Sequence, residues 1–100
     1  MLSDPFDWDE AVADKAARNF AKHGVTFAEA ASVFSYDPTR REVFDTDHSE
    51  DEDRFLLVGW CETGKLLFVS FTDRDHRIRL ISARELERWE EEEYVRGNFP

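Results

Sequence analysis

The chain has a single cysteine, Cys61, so no internal disulfide can form, and one such thiol suits a reducing compartment. Nowhere does an apolar run approach the roughly 20 residues that cross a bilayer. The opening stretch, Met1 to Trp8, holds no basic segment followed by an apolar one, so no secretory signal is expected and the chain reads as cytoplasmic. Histidine is scarce, at three, and no cysteine cluster assists it, which leaves no zinc-ligand spacing. Positive charge is short as well. The 13 Lys+Arg stand against 23 Asp+Glu, for a net charge of -10 and a pI near 4.6. Such a chain repels polyanions at long range, so a role with RNA must rest on a local basic patch inside an acidic shell.

What is present suffices for one compact domain spanning residues 1–100. A chain of this length buries about 60–65% of its unfolded surface, and the 41% hydrophobic content with nine Phe can fill that core. Helical patterns occupy the first half, strands the second, and one more helix closes the chain. That segregation predicts an α+β fold, with two N-terminal helices packed on an antiparallel β-meander.

The first helix should start at Asp7 or Asp9, either of which can accept from free helix-start amides. Val12, Ala16 and Phe20 form its apolar stripe, Lys22 and His23 suit the negative end of its dipole, and Gly24 stops it. Thr26-Phe27-Ala28-Glu29 fits a capping box that opens the second helix. Phe27, Ala30, Ala31 and Phe34 then line one face, and Asp37-Pro38 ends it. Strands are expected from Arg41 to Asp45, Arg54 to Glu62, Lys65 to Thr72 and Arg77 to Ile81, with a tight hairpin at Thr63-Gly64 and a turn over Asp73 to His76. The two middle strands are apolar on both parities, so both faces need cover: the helical pair on one, the last helix or a partner on the other. Ser82-Ala83-Arg84-Glu85 fits a second capping box, predicted to open a last helix through Leu86, Trp89 and Tyr94. Five of its residues from 87 to 93 are Glu, so it is mostly solvated.

The acidic loop from Asp45 to Asp53 resembles the start of a calcium loop. The match fails, because Glu50 stands at the required Gly and Leu56 at the required Glu, so no metal site is assigned. His48 and His76 lie in turns and read as surface residues. His23, at a helix end beside Lys22, reads as either a capping or a catalytic residue. Arg77 and Arg79 share one face of the last strand, Arg54 opens the central hairpin, and Arg84 stands at the start of the last helix. A small sheet places two arginines on one face when they meet anions, and carboxylates of the chain itself are the simple alternative.

These residues carry a family resemblance. Phe6-Asp7-Trp8-Asp9, a helix holding Lys15 and Asn19, Lys22-His23-Gly24-Val25-Thr26-Phe27, Glu29-Ala30-Ala31, Val33-Phe34 and Asp37-Pro38 follow one another as in BrnT toxins. Downstream, His48-Ser49 with Glu52-Asp53-Arg54-Phe55, and Arg77-Ile78-Arg79-Leu80-Ile81-Ser82-Ala83-Arg84, resemble further motifs of that family. Any one would be weak, but their shared order over most of the chain is specific. The resemblance implies a RelE-like ribonuclease fold, a cytoplasmic location and a BrnA-type antitoxin. Such antitoxins join a ribbon-helix-helix DNA-binding module to a segment that covers the toxin, so DNA would be reached only through the antitoxin.

The chemistry expected of an RNA-cleaving member needs no metal or other cofactor. A 2′-hydroxyl attacks the adjacent phosphorus, and the protein moves protons and neutralises a phosphorane. In that scheme His23 carries the proton with Lys22 as electrostatic support. Arg79 is the main phosphorane cation, Arg54 and Arg84 place the phosphate, Arg77 adds an RNA contact, and Tyr94 stacks a base or donates a hydrogen bond. Many relatives carry a basic C-terminal helix, whereas Glu85 to Tyr94 is acidic here. A second reading follows from that departure: a catalytically inactive binding module serving as antitoxin partner or corepressor. A third is a free-standing structural protein.

Overall fold

The structure, a computed structural model, describes residues 4–100; the first three residues of the stretch read for a secretory signal lie outside it. Helix α1 spans Glu10–His23. Its start is fixed by Asp9, whose carboxylate accepts the Val12 amide at 3.0 Å, and its end by Gly24 at φ +68°, a left-handed position that glycine adopts without strain. Helix α2, Phe27–Tyr36, opens on the expected capping box: Glu29 N–H donates to Thr26 Oγ1 and Thr26 N–H to Glu29 Oε1, each at 3.0 Å. At its far end Asp37 Oδ2 accepts the Trp60 amide at 2.9 Å, which ties the helix to the sheet.

The sheet is an antiparallel meander in the order β1-β2-β3-β4, with β1 at Arg41–Phe44, β2 at Arg54–Trp60, β3 at Leu66–Arg74 and β4 at Arg77–Glu85. Asp75 and His76 form the two-residue β3–β4 turn at φ +52° and +64°, as a primed hairpin turn requires. The β2–β3 loop is wider than a tight Thr63-Gly64 hairpin: Cys61 N–H donates to Lys65 O, and Gly64 N–H to Cys61 O. The segment before α1 extends the sheet, because Ile78 N–H donates to Pro5 O and Asp7 N–H to Ile78 O, bridging Phe6 to β4 in parallel.

Helices α1 and α2 cover one face of the sheet. Val12, Val25, Phe27, Ala30 and Val33 meet Leu57, Leu67, Val69, Phe71, Leu80 and Ala83, all buried. Gly59 lets α2 approach closely, since a Cβ there would lie 2.8 Å from Val33 Cγ1. The other face is covered only in part. Helix α3, Arg88–Val95, and the residues after it bring Phe99 onto Phe68, with ring centroids 5.6 Å apart, above buried Val58 and Leu66. The row Val43, Leu56, Ser70, Ser82 beside this cover is only half-buried.

Two further expectations are corrected. Phe20 is 55% exposed, and Asn19 takes the inward place on α1. The cause is helical geometry: each step of four residues advances about 40° around the axis, so Phe20 has drifted about 80° from Val12, whereas Asn19 lies within about 20° of it. Ser82 to Glu85 is strand, not helix start, because Ser82 and Arg84 pair with Ser70 and Phe68 of β3. The last helix begins at Arg88 instead, after Glu87, whose amide donates to Glu90 Oε1 at 2.7 Å.

Candidate nucleic-acid interface

The expected site residues fall into separate places. Arg54, Thr72 and Arg79 are register partners across β2, β3 and β4, so both guanidinium groups share the face away from the helices. With strands about 4.8 Å apart, their backbones stand roughly 10 Å from one another. Arg79 is committed to the chain's own acids. Its Nε and Nη2 donate to Asp7 Oδ2 at 3.1 and 2.8 Å, and Nη2 also reaches Asp9 Oδ2 at 2.9 Å. The hydrogen bond to Asp7 stabilises the guanidinium further, while the same bond holds the Asp7 carboxyl below its usual range. Arg54 is looser: its nearest carboxylate, Glu52, is 4.0 Å away, and its Nε is buried without a hydrogen-bond partner. Arg77 donates to the Phe6 carbonyl.

Arg84 lies on β4 rather than on a helix. Its guanidinium carbon is 4.7 Å above the Phe68 ring, and it forms a bidentate pair with buried Glu90 at 2.7 and 2.9 Å. That pair raises the proton affinity of Arg84 and lowers that of Glu90. Tyr94 sits at the opposite side of the sheet, with its hydroxyl donating to Thr39 O at 3.5 Å, and burial away from water raises its pKa.

His23 does not meet Arg79. Arg79 is bonded to Asp9 at the start of α1, whereas His23 ends that helix 14 residues later, roughly 20 Å along the axis. No single phosphodiester touches both. Instead, His23 and Lys22 join Lys15, Arg18 and Asn19 of α1, with Ile81 and Ser82 of β4, around a pocket of about 250 Å³. Spacings of three, four and seven residues put Lys15, Arg18, Asn19 and Lys22 on one helix face. The β4 wall comes from a bulge: Ser70 pairs with Ser82 and Phe71 with Leu80, so Ile81 is left over. Asn19 fixes the two walls together. Its Nδ2 donates to Ala83 O at 2.8 Å and Val25 O at 3.0 Å, and its Oδ1 accepts from Ala83 N–H at 3.0 Å.

Charge separates this pocket from the other cavity near an expected site residue. That cavity, of about 420 Å³, joins Arg54 and His48 to Asp47, Glu50, Asp51 and Glu52, and four carboxylates oppose a phosphate. His48 Nδ1 meets Asp45 Oδ2 at 2.9 Å, and its side chain is 67% exposed, a surface residue as expected. Around the α1–β4 pocket, by contrast, Lys15 and Lys22 form no salt bridge among the described residues, and Arg18 pairs only with exposed Asp14. Lys15 and Asn19 were visible in sequence only through the family resemblance. Arg18 carried no signal, because helix spacing alone does not say which face meets a strand 60 residues away.

The chain is thus a small α+β protein with the cations of α1 gathered against the β4 edge. The fold matches the crystal structure of the Brucella abortus ribonuclease toxin, BrnT, with a TM-score of 0.61 and 24% sequence identity over 83% of this chain and 96% of that one. None of the curated proteins matches the chain by sequence. The sequence model of the ribonuclease toxin BrnT of type II toxin–antitoxin systems matches residues 8–90, and the chain belongs to that family. Membership implies an antitoxin as partner. Among the described residues no helix is long and apolar enough to cross a membrane.

Proposed function

We propose that this chain is an active endoribonuclease toxin that cuts RNA in the cytoplasm without a metal and is neutralised by a BrnA-type ribbon-helix-helix antitoxin. The observation that carries this reading is the α1–β4 pocket, where a histidine, Arg18 and two lysines without carboxylate partners among the described residues converge in a chain of net charge -10. A phosphodiester is the polyanion such a pocket selects, and kinship with RelE ribonucleases belongs to the same reading.

In this mechanism His23 takes the proton of the ribose 2′-hydroxyl as the 2′-oxygen bonds to phosphorus. The bond from phosphorus to the 5′-oxygen breaks, and that oxygen leaves as a hydroxyl after accepting a proton from water. The products are a 2′,3′-cyclic phosphate and a 5′-hydroxyl. Lys22 stabilises the phosphorane charge, as fixed cations do in a partly desolvated site. Arg79, at the opposite end of α1 from His23, is too far away to share the scissile phosphate and exchanges Asp7 and Asp9 for a more distant phosphate of the same strand, whereas Arg54, walled by carboxylates, makes no RNA contact. Arg77 and Arg84 hold the fold through Phe6 and Glu90, and Tyr94 does so at the far side of the sheet.

A second reading has its own support: Arg79 and Arg84 are satisfied by Asp7, Asp9 and Glu90, and α3 carries acids where an RNA contact would need cations. On that reading the protein is an inactive partner of its antitoxin. Cleavage of RNA by the purified chain in EDTA separates the two. The nuclease reading expects cyclic-phosphate products and a loss of about 10²–10⁴-fold in His23→Ala. Tight antitoxin binding without any cleavage would leave the binding-module reading standing alone, and equal rates in both proteins would remove His23 from the chemistry.

A further inference from the structure

We infer that Lys15, Lys22 and the β4 bulge at Ile81-Ser82 form a subsite that grips one ribose-phosphate unit of single-stranded RNA. The inference rests on the nuclease reading and deepens it, because nothing in that reading assigns Lys15, Ile81 or Ser82.

The charge pattern is the first argument. Carboxylates outnumber cations in this chain, and Arg54, Arg74, Arg79, Arg84, Arg88 and Arg96 each have an acid within salt-bridge distance. Lys65 is held by Glu29 at 3.0 Å. Arg40, Arg41 and Arg77 have no acid within salt-bridge distance, but each donates to a backbone carbonyl. Lys15 and Lys22 have neither kind of partner among the described residues, and they stand two turns apart on the same wall, about 10 Å along the helix. Two flexible lysine side chains rooted that far apart can reach phosphates on either side of a nucleotide.

The floor is the second argument. Ile81 supplies an apolar surface for a sugar or base, and Ser82 Oγ makes no hydrogen bond among the described residues, so it is available to a ribose hydroxyl. At about 250 Å³ the pocket is smaller than the roughly 300–1,000 Å³ of typical small-ligand sites. It therefore fits part of a longer strand better than a free ligand. Rigidity is the third argument. The three hydrogen bonds of buried Asn19 lock α1 to β4, so the walls are set before RNA arrives and little ordering is needed on binding.

The test is a salt titration of binding to a fully 2′-O-methylated RNA oligomer, which cannot be cleaved, followed by fluorescence anisotropy. Alongside it, cleavage of the unmodified oligomer is measured. Lys15→Ala is compared with Arg88→Ala, an equal loss of charge on the exposed face of α3, and thermal melting verifies that both variants fold. The expected result is several-fold weaker binding in Lys15→Ala, with the log–log salt slope shallower by about 0.7, the loss of one phosphate contact. KM should rise with kcat nearly unchanged. Should Lys15→Ala match Arg88→Ala in affinity and slope while the unaltered chain still cuts RNA, the subsite is refuted and the nuclease reading stands. An unaltered chain that neither binds nor cuts RNA overturns both.

Discussion

Asn19 and Ala83 are joined by two hydrogen bonds, from Ala83 N–H to Oδ1 at 3.0 Å and from Nδ2 to Ala83 O at 2.8 Å. The side-chain amide does what a neighbouring strand would do, closing the edge of β4 where the Phe6 bridge has ended. Asn19→Ala should leave the Ala83 amide and two carbonyls without partners in a buried place, at a cost of about 2–3 kcal/mol. Urea denaturation measures it, and an unchanged midpoint would show that water replaces the amide.

Gly59→Ala should destabilise by about 1–3 kcal/mol. The added methyl would lie 2.8 Å from Val33 Cγ1 and 3.0 Å from both Arg40 Cβ, which is fixed to the backbone, and Asp37 Oδ2, which is held by the Trp60 amide. A thermal melt no lower than that of the unaltered chain would mean that α2 lifts off without cost.

Glu29 links stability to pH. Its carboxyl is lowered to about 2, first by the Thr26 amide and then by the Thr63 hydroxyl and Lys65. A depressed folded pKa means the unfolded chain binds the proton more readily. The contribution is thus complete above the ordinary value of about 4.5 and disappears as pH falls towards 2. The stability gap between the chain and Glu29→Gln should therefore be constant near neutrality and shrink across that window. A gap that grows on acidification would contradict the assignment.

Glu90→Ala should cost about 1–3 kcal/mol, less than a fully buried pair because the Arg84 side chain keeps 34% of its exposure. Arg84→Met restores an apolar contact on Phe68, so the double variant should recover part of the loss. A chemical-denaturation cycle over the four proteins reads the coupling, and additive losses would show that the pair contributes nothing.

Arg79→Ala should change RNA cleavage through KM, with kcat falling less than about tenfold, whereas His23→Ala should act on kcat. Steady-state kinetics on a defined oligomer decide between them. A loss in kcat as deep as that of His23→Ala would bring Arg79 back to the scissile phosphate.

Local chemistry was readable in the sequence and distant pairing was not. Thr26 and Glu29 satisfy each other within one turn, so their capping box needs nothing from the rest of the chain. Ser82 to Glu85 carries a similar local signature, yet the β3 ladder claims its backbone, and the helix starts later. The sheet order followed from short connections and apolar runs on both parities. The site followed less well: Arg79 and Asp7 are 72 residues apart, and sequence spacing offers no hint that they bond. Lys15, Arg18 and Lys22 became one wall only once β4 was laid beside α1.

The gathering of two unpaired lysines on a chain of net charge -10 has a kinetic consequence. A distant nucleic acid feels the total charge and is pushed away, while one already in the groove feels the nearest ammonium groups and is retained. Moderate ionic strength shortens the reach of that outer repulsion to about 8–10 Å, so capture should quicken with added salt even as release quickens too. The familiar pattern for basic nucleases, with encounter fastest in dilute buffer, would here be reversed.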